Sequence, residues 1–171
     1  RQDLRTLSRE DITAALATMG EKKFRAGQVY DWLWKKGARD FDSMTNLSKE
    51  LRQQLAEKYF IHSLQEDVRQ VSSDDTVKLR FRTFDGHPIE GVLIPTPHRL
   101  TACVSSQIGC SLACAFCATG KLERKRNLHF DEIFDQVVML NQLSEERHER
   151  GLPNIVFMGM GEPLLNYTTC C

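Results

Sequence analysis

Cys103-Val-Ser-Ser-Gln-Ile-Gly-Cys110-Ser-Leu-Ala-Cys114-Ala-Phe-Cys117 is the stretch on which the fold turns. Residues 100–108 read as a strand leading into it, and residues 131–148 follow it as a helix with Ile133, Phe134, Val137 and Leu140 on one face. Gly151 is the expected helix stop, and Asn154-Ile-Val-Phe-Met158 has the look of a buried parallel strand. Strand, loop, helix and strand make one right-handed βαβ unit, the building block of a barrel or a doubly wound sheet.

The cysteine spacing is itself chemical. Cys110, Cys114 and Cys117 place three thiolates on one tight loop, close enough to hold three irons of a cubane cluster. A [4Fe–4S] cluster usually takes four cysteines, so three at this spacing leave one iron open to a small ligand. The same residues admit another reading, a structural zinc site completed by His129, although zinc usually takes paired C-x2-C steps. Six cysteines could also make a disulfide scaffold, but three clustered within eight residues and two adjacent at the end favour metal ligation.

Immediately after the second strand comes Gly159-Met-Gly161-Glu162-Pro163. Ligand sites of barrel and α/β folds assemble at the carboxyl ends of strands. Glycines there let backbone approach a ligand, and Glu162 can accept hydrogen bonds from an ammonium group.

Upstream the period changes. Val77, Leu79 and Phe81 alternate with Lys78, Arg80 and Arg82 as in a half-buried strand, and Asp85-Gly86 is a strong turn signal before a returning strand at Ile89–Ile94. Residues 8–60 read as three amphipathic helices: one opened by Ser8, one from Phe24 to Lys36 burying Val29, Trp32 and Leu33, and one opened by Ser48. The expected organisation is a small helical, RNA-binding-like domain at 1–63, a β-hairpin connecting region at 64–98, and the start of an α/β core at 99–171. Net charge is zero, with 23 basic and 23 acidic residues, and a slight basic excess falls in the first region. No apolar run reaches the roughly 18 residues a membrane span needs, so no membrane partner and a cytoplasmic location are expected.

Taken together, the Cys110-x3-Cys114-x-Phe116-Cys117 loop, the Cys103–Cys110 segment and Met158-Gly-Met-Gly-Glu-Pro-Leu-Leu-Asn166 resemble the RlmN-type radical S-adenosylmethionine (SAM) RNA methyltransferases. Gly20-Glu-Lys-Lys-Phe-Arg-Ala26 and Phe41-Asp-Ser-Met44 are similar to that family's amino-terminal domain. The resemblance implies a radical SAM partial (β/α) barrel, here truncated, preceded by the small helical domain and the hairpin. It implies methylation of carbon-2 of an adenosine in 23S rRNA, and in some bacteria of a tRNA adenosine, through a methylcysteine intermediate. Its cofactors are a [4Fe–4S] cluster and SAM, and its electron donor is a protein such as flavodoxin.

Residue by residue, the resemblance makes Cys110, Cys114 and Cys117 the cluster ligands, and Gly161 and Glu162 part of the site for the SAM amine. It makes Glu90 the proton acceptor and Cys103 the thiol that forms a disulfide with the methyl-carrying cysteine. That carrier is expected near the carboxyl terminus of a longer chain, so this sequence reads as an amino-terminal fragment from which activity alone is not expected. Cys170 and Cys171 do not match the carrier's pattern. A Cfr-type carbon-8 methyltransferase shares the cluster logic, and the zinc-stabilised RNA-binding module is the rival outside the enzymes. Lys121, Arg124, Lys125 and Arg126, with the Lys78-Arg80-Arg82 face, are candidate phosphate contacts.

Overall fold

The change of period near residue 63 separates two compact units, Arg1–His62 and Ser63–Cys171, in a computed structural model that describes residues 1–170. Cys171 lies outside the described residues.

The first unit is built on α1 (Arg9–Thr18), α2 (Phe24–Trp34) and α3 (Lys49–Lys58), with the short strands β1 (Gln2–Asp3) and β2 (Tyr59–Phe60) paired in parallel. Ser8 opens α1 through a reciprocal capping box with Asp11, and Ser48 caps α3 through its hydroxyl. Gly20 and Gly37 take positive φ just beyond α1 and α2, which is why those helices end there. Ile12, Leu16, Val29, Leu33, Leu51 and Leu55 close the core, joined by Leu4 and Met44 from the connecting segments. Trp32 is only half-buried: its indole N–H donates to Asn46 Oδ1, and the Lys36 ammonium lies 3.8 Å over its ring.

The second unit carries a five-stranded sheet in the order β3-β4-β5-β6-β9, from β3 (Gln65–Val71), β4 (Val77–Arg82), β5 (Pro88–Pro95), β6 (Leu100–Cys103) and β9 (Asn154–Val156). The first four strands pair antiparallel, and β9 joins β6 in parallel after the crossover helix α4 (Phe130–His148). The hairpin thus continues into the same sheet as the strand before the cysteines, with β3 as an added outer strand. Val77, Leu79, Phe81, Ile89, Leu93 and Ala102 on one face pack against Ile133, Leu140 and Leu143 of α4. Gly91 sits mid-strand because a β-carbon there would lie 2.8 Å from the Phe81 ring and 3.2 Å from Leu140 Cδ1.

Three local expectations change. The strand expected over 100–108 leaves the sheet after Cys103, and the buried Gln136 side chain of α4 replaces the missing strand. Its Oε1 accepts from Ser105 N at 2.8 Å, and its Nε2 donates to Ser105 O at 3.1 Å. The chain then forms a second ribbon, β7 (Gln107–Ile108) against β8 (Arg126–Asn127). Helix α4 ends at Glu149, left-handed at φ 54°, rather than at Gly151. The strand expected over 154–158 stops at Val156 and is half-exposed rather than buried, because β9 is the outermost strand of the described sheet.

Candidate active site

β7 and β8 clamp the base of the loop that carries the three cysteines. Gly109 crosses so close to the opposite limb that a β-carbon would collide with the Glu123 carbonyl, and at Gly120 it would stand 2.8 Å from Cys114 O. Both positions hold glycine because two backbones touch, and Gly109 also needs its φ of +73°. Within the loop Cys117 N donates to Cys114 O at 3.1 Å, and Gly120 N to Cys117 O at 3.1 Å. Cys110, Cys114 and Cys117 are free and half-exposed, and Phe116 between them is 94% exposed. The amide N–H groups of Gly120 and then Thr119 hold the Cys117 thiol below its ordinary value, which favours the thiolate that metal ligation needs.

Among the described residues, no group of three or more His, Cys, Asp or Glu side chains is arranged to hold a metal ion. His129, the fourth ligand of the zinc alternative, instead precedes α4 with its ring 6.4 Å from that of Phe84. Three unpaired thiols on one glycine-wound loop fit the donor set of a three-cysteine cluster.

The Gly159–Pro163 turn lies directly on residues 104–107. Gly159 N donates to Val104 O at 3.0 Å and Met160 N to Ser105 Oγ at 2.8 Å, while Met160 O accepts from Ser106 N at 2.9 Å and Gln107 N at 3.2 Å. A β-carbon on Gly159 would stand 2.7 Å from Ser105 Oγ, and one on Gly161 would stand 2.5 Å from Gln107 Cβ. The glycines therefore admit neighbouring protein backbone, not only a ligand. Glu162 opens a short 3-10 turn at Pro163–Asn166, its Oε1 accepting from Leu164 N at 3.0 Å.

Cys103 ends β6 opposite Val92 of β5, and Glu90 lies two residues before Val92. By strand alternation, Cys103 and Glu90 are diagonal neighbours on the face turned away from α4. Ser105 Oγ donates to Glu90 O at 2.6 Å, tying that strand to the turn below. Glu90 pairs with Lys78 Nζ at 2.8 Å and is half-exposed, but Cys103 is buried. Burial pushes the Cys103 thiol up, opposed in part by the Met158 N–H. An accessible, thiolate-prone Cys103 is thus not what this structure presents.

Most of the expected phosphate contacts are engaged. Arg80 and Arg82 share Asp67, Lys125 pairs with Glu123, and Arg124 donates to Asn127. Arg126 is structural. Its guanidinium spans Glu132 at 2.7 Å and Asp85 at 2.9 Å, joining the β4–β5 turn, the base of the cysteine loop and the first turn of α4. Sequence reading missed this network and the polar residues Ser105, Gln107, Gln136 and Asn166. The available signal was Ser105-Ser106-Gln107, a polar run inside an apolar strand expectation that the fold buries completely.

A three-cysteine loop and a Gly-x-Gly-Glu-Pro turn stand at the carboxyl ends of parallel β6 and β9, the arrangement expected of a radical SAM core. The structure accordingly resembles the crystal structure of a radical SAM methyltransferase from Sphaerobacter thermophilus, with a TM-score of 0.85 and 40% identity, covering 99% of this chain and 50% of that one. Residues 2–61 match the ribosomal RNA large subunit methyltransferase N-terminal domain. The chain is 54% identical over 165 residues to the Cytophaga hutchinsonii protein named "Probable dual-specificity RNA methyltransferase RlmN", covering 96% of this chain and 45% of that protein. It is 46% identical over 169 residues to the dual-specificity RNA methyltransferase RlmN of Anaeromyxobacter dehalogenans, with 96% and 45% covered. The RlmN-type resemblance therefore holds over nearly the whole chain, and the chain spans about half the length of the curated relatives it matches.

Proposed function

We propose that this chain supplies the helical domain and the cluster-binding start of the barrel in a cytoplasmic RNA methyltransferase that modifies carbon-2 of a 23S rRNA adenosine, and of a tRNA adenosine as a second substrate. The observation that carries the reading is the convergence of the cysteine loop, the Glu162 turn, Cys103 and Glu90 at one end of the sheet. Carbon-2 of adenine is electron-poor and does not attack an ordinary methylsulfonium, so the activity needs radical chemistry.

Cys110, Cys114 and Cys117 would hold a [4Fe–4S] cluster, and Glu162 would accept hydrogen bonds from the SAM amine. When bound and reduced by a donor such as flavodoxin, cluster and SAM supply the one-electron chemistry. The chain's own residues do the rest. Gly109 and Gly120 keep the loop wound where its two limbs touch backbone to backbone, and the Gly120 and Thr119 amides favour the Cys117 thiolate. Glu90, its carboxylate presented beside Lys78, serves as acceptor of the ring proton. Cys103 is the thiol that pairs with the methyl-carrying cysteine, and it must be uncovered before it can exchange.

A hybrid joining residues 1–166 to the carboxyl-terminal half of the Cytophaga relative tests this. In cells lacking the modification, the hybrid is expected to restore 2-methyladenosine to 23S rRNA, detected by mass spectrometry after nuclease digestion. The Cys114→Ala hybrid is expected to restore none. A folded, cluster-loaded hybrid that yields 8-methyladenosine, or no methyladenosine, overturns the proposal.

A further inference from the structure

Gln107 is fully buried at the first position of β7, directly across the ribbon from Asn127 of β8. Its two amide atoms go to different elements. Nε2 donates to Asn127 Oδ1 at 2.8 Å, at the base of the cysteine loop, while Oε1 accepts from Glu162 N at 3.0 Å. Asn127 extends the link, its Nδ2 donating to Leu165 O at 3.0 Å and its Oδ1 also accepting from Arg124 Nη2 at 2.9 Å.

The donor and acceptor pattern fixes the direction of both amides. Glu162 N is only a donor and Leu165 O only an acceptor, so Gln107 must aim Oε1 at the turn and Asn127 must aim Nδ2 there. The remaining ends, Nε2 and Oδ1, then match each other. Packing alone needs no such polarity, and an apolar side chain of similar length would fill the space. Gly161 completes the fit, because any β-carbon there would collide with Gln107.

We propose that Gln107 is a positioning residue that sets the Glu162 turn against the base of the cysteine loop, with Asn127 as its relay. Resting on the function proposed above, this deepens it: the pair fixes where Glu162 stands relative to the three thiols. In the chain without cofactor, the link works beside a second one, Asn166 Nδ2 donating to Leu128 O at 3.0 Å and Ser106 O at 2.9 Å, and its own share in holding the two segments together can be read directly.

The test is hydrogen exchange by mass spectrometry on the intact chain and on the Gln107→Met, Gln107→Glu and Asn127→Ala variants, with thermal unfolding of each. Gln107→Met is expected to raise exchange in peptides covering 121–128 and 158–166 together by about tenfold, while peptides of β4, β5 and α4 keep the rates of the unsubstituted chain. Gln107→Glu at neutral pH keeps the acceptor for Glu162 N and loses the donor to Asn127, so 121–128 is expected to loosen and 158–166 to stay protected. Asn127→Ala combined with Gln107→Met is expected to loosen these peptides by less than the sum of the two single variants, the non-additivity of groups acting in one network.

Loosening spread evenly over the second unit, additive effects in the double variant, or a Gln107→Glu variant indistinguishable from Gln107→Met overturns the positioning role. Should Gln107→Met unfold the chain, Asn127→Ala alone decides: loosening in both peptides upholds the link, and loosening in 121–128 only overturns it. Failure of the unsubstituted chain to take up iron refutes the proposed function and leaves this exchange pattern unaltered, so the two failures are distinguishable.

Discussion

Replacing Gly159 by alanine tests whether the Gly-x-Gly turn is held by backbone contact with the strand before the cysteines. The new methyl group would stand 2.7 Å from Ser105 Oγ, 2.8 Å from Ser105 N and 2.8 Å from the Val104 carbonyl carbon. Two of those three atoms are backbone, so no side-chain rotation relieves the clash and the turn must move outward. Overpacking of this kind costs about 1–3 kcal/mol. Moving the turn also stretches the four hydrogen bonds that Gly159 and Met160 make to residues 104–107, each worth about 1 kcal/mol net. A total near 3 kcal/mol lowers the unfolding midpoint of a unit of this size by roughly 10–20 °C.

Gly86→Ala is the control in the same unit. Its φ is +83° but nothing lies within 4 Å of the added carbon, so only backbone strain applies, about 1 kcal/mol. Calorimetry of both variants decides the matter. A Gly159→Ala loss no larger than that of Gly86→Ala would refute the close-contact argument.

Three further outcomes follow from the electrostatics. Arg126→Met leaves the Glu132 carboxylate, 4% exposed at its side chain, without its charge partner, and is expected to destabilise the second unit by about 3–5 kcal/mol in urea titrations. Hydrogen bonding from Arg126, with a smaller contribution from Thr83, holds the Asp85 carboxyl well below the usual carboxylate range. Its folded value lies under its unfolded one, so its contribution is complete above about pH 4 and is lost as the pH falls further. Arg126→Met should flatten that acid limb, and an unchanged limb would remove Asp85 from the account. In the metal-free chain at neutral pH, iodoacetamide is expected to label Cys117 well before Cys103, since amide N–H groups lower one thiol and burial raises the other. Peptide mass spectrometry follows the order, and earlier labelling of Cys103 would contradict it.

Patterns of one period were legible in the sequence. Ile12 and Leu16, Val29 and Leu33, and Leu51 and Leu55 lie in the core because helical spacing puts them on one face, and Val77, Leu79 and Phe81 because strand alternation does. The cysteine loop and the Glu162 turn were legible as motifs, since close spacing alone gathers such groups. What stayed hidden depends on partners far away in sequence. Gln136 completes the hydrogen bonding of Ser105 across thirty-one positions, and Arg126 reaches Asp85 across forty-one, so neither role leaves a local trace. The burial of Cys103 was hidden for a similar reason: strand alternation gives its face, but the backbone N–H that reaches its thiol belongs to Met158, far along the chain. Trp32, an apolar position by pattern, stays half-exposed because its N–H has Asn46 and its ring has Lys36.

Anaerobic reconstitution with iron and sulfide, followed by counting of both and by the absorption near 400 nm expected of such clusters, tests the central claim most directly. The unsubstituted chain is expected to take up close to four irons and four sulfides, and Cys114→Ala to lose most of that uptake while keeping its fold by circular dichroism. Stoichiometric zinc without the absorption, or full iron loading in the Cys114→Ala chain, would contradict a cluster held by Cys110, Cys114 and Cys117.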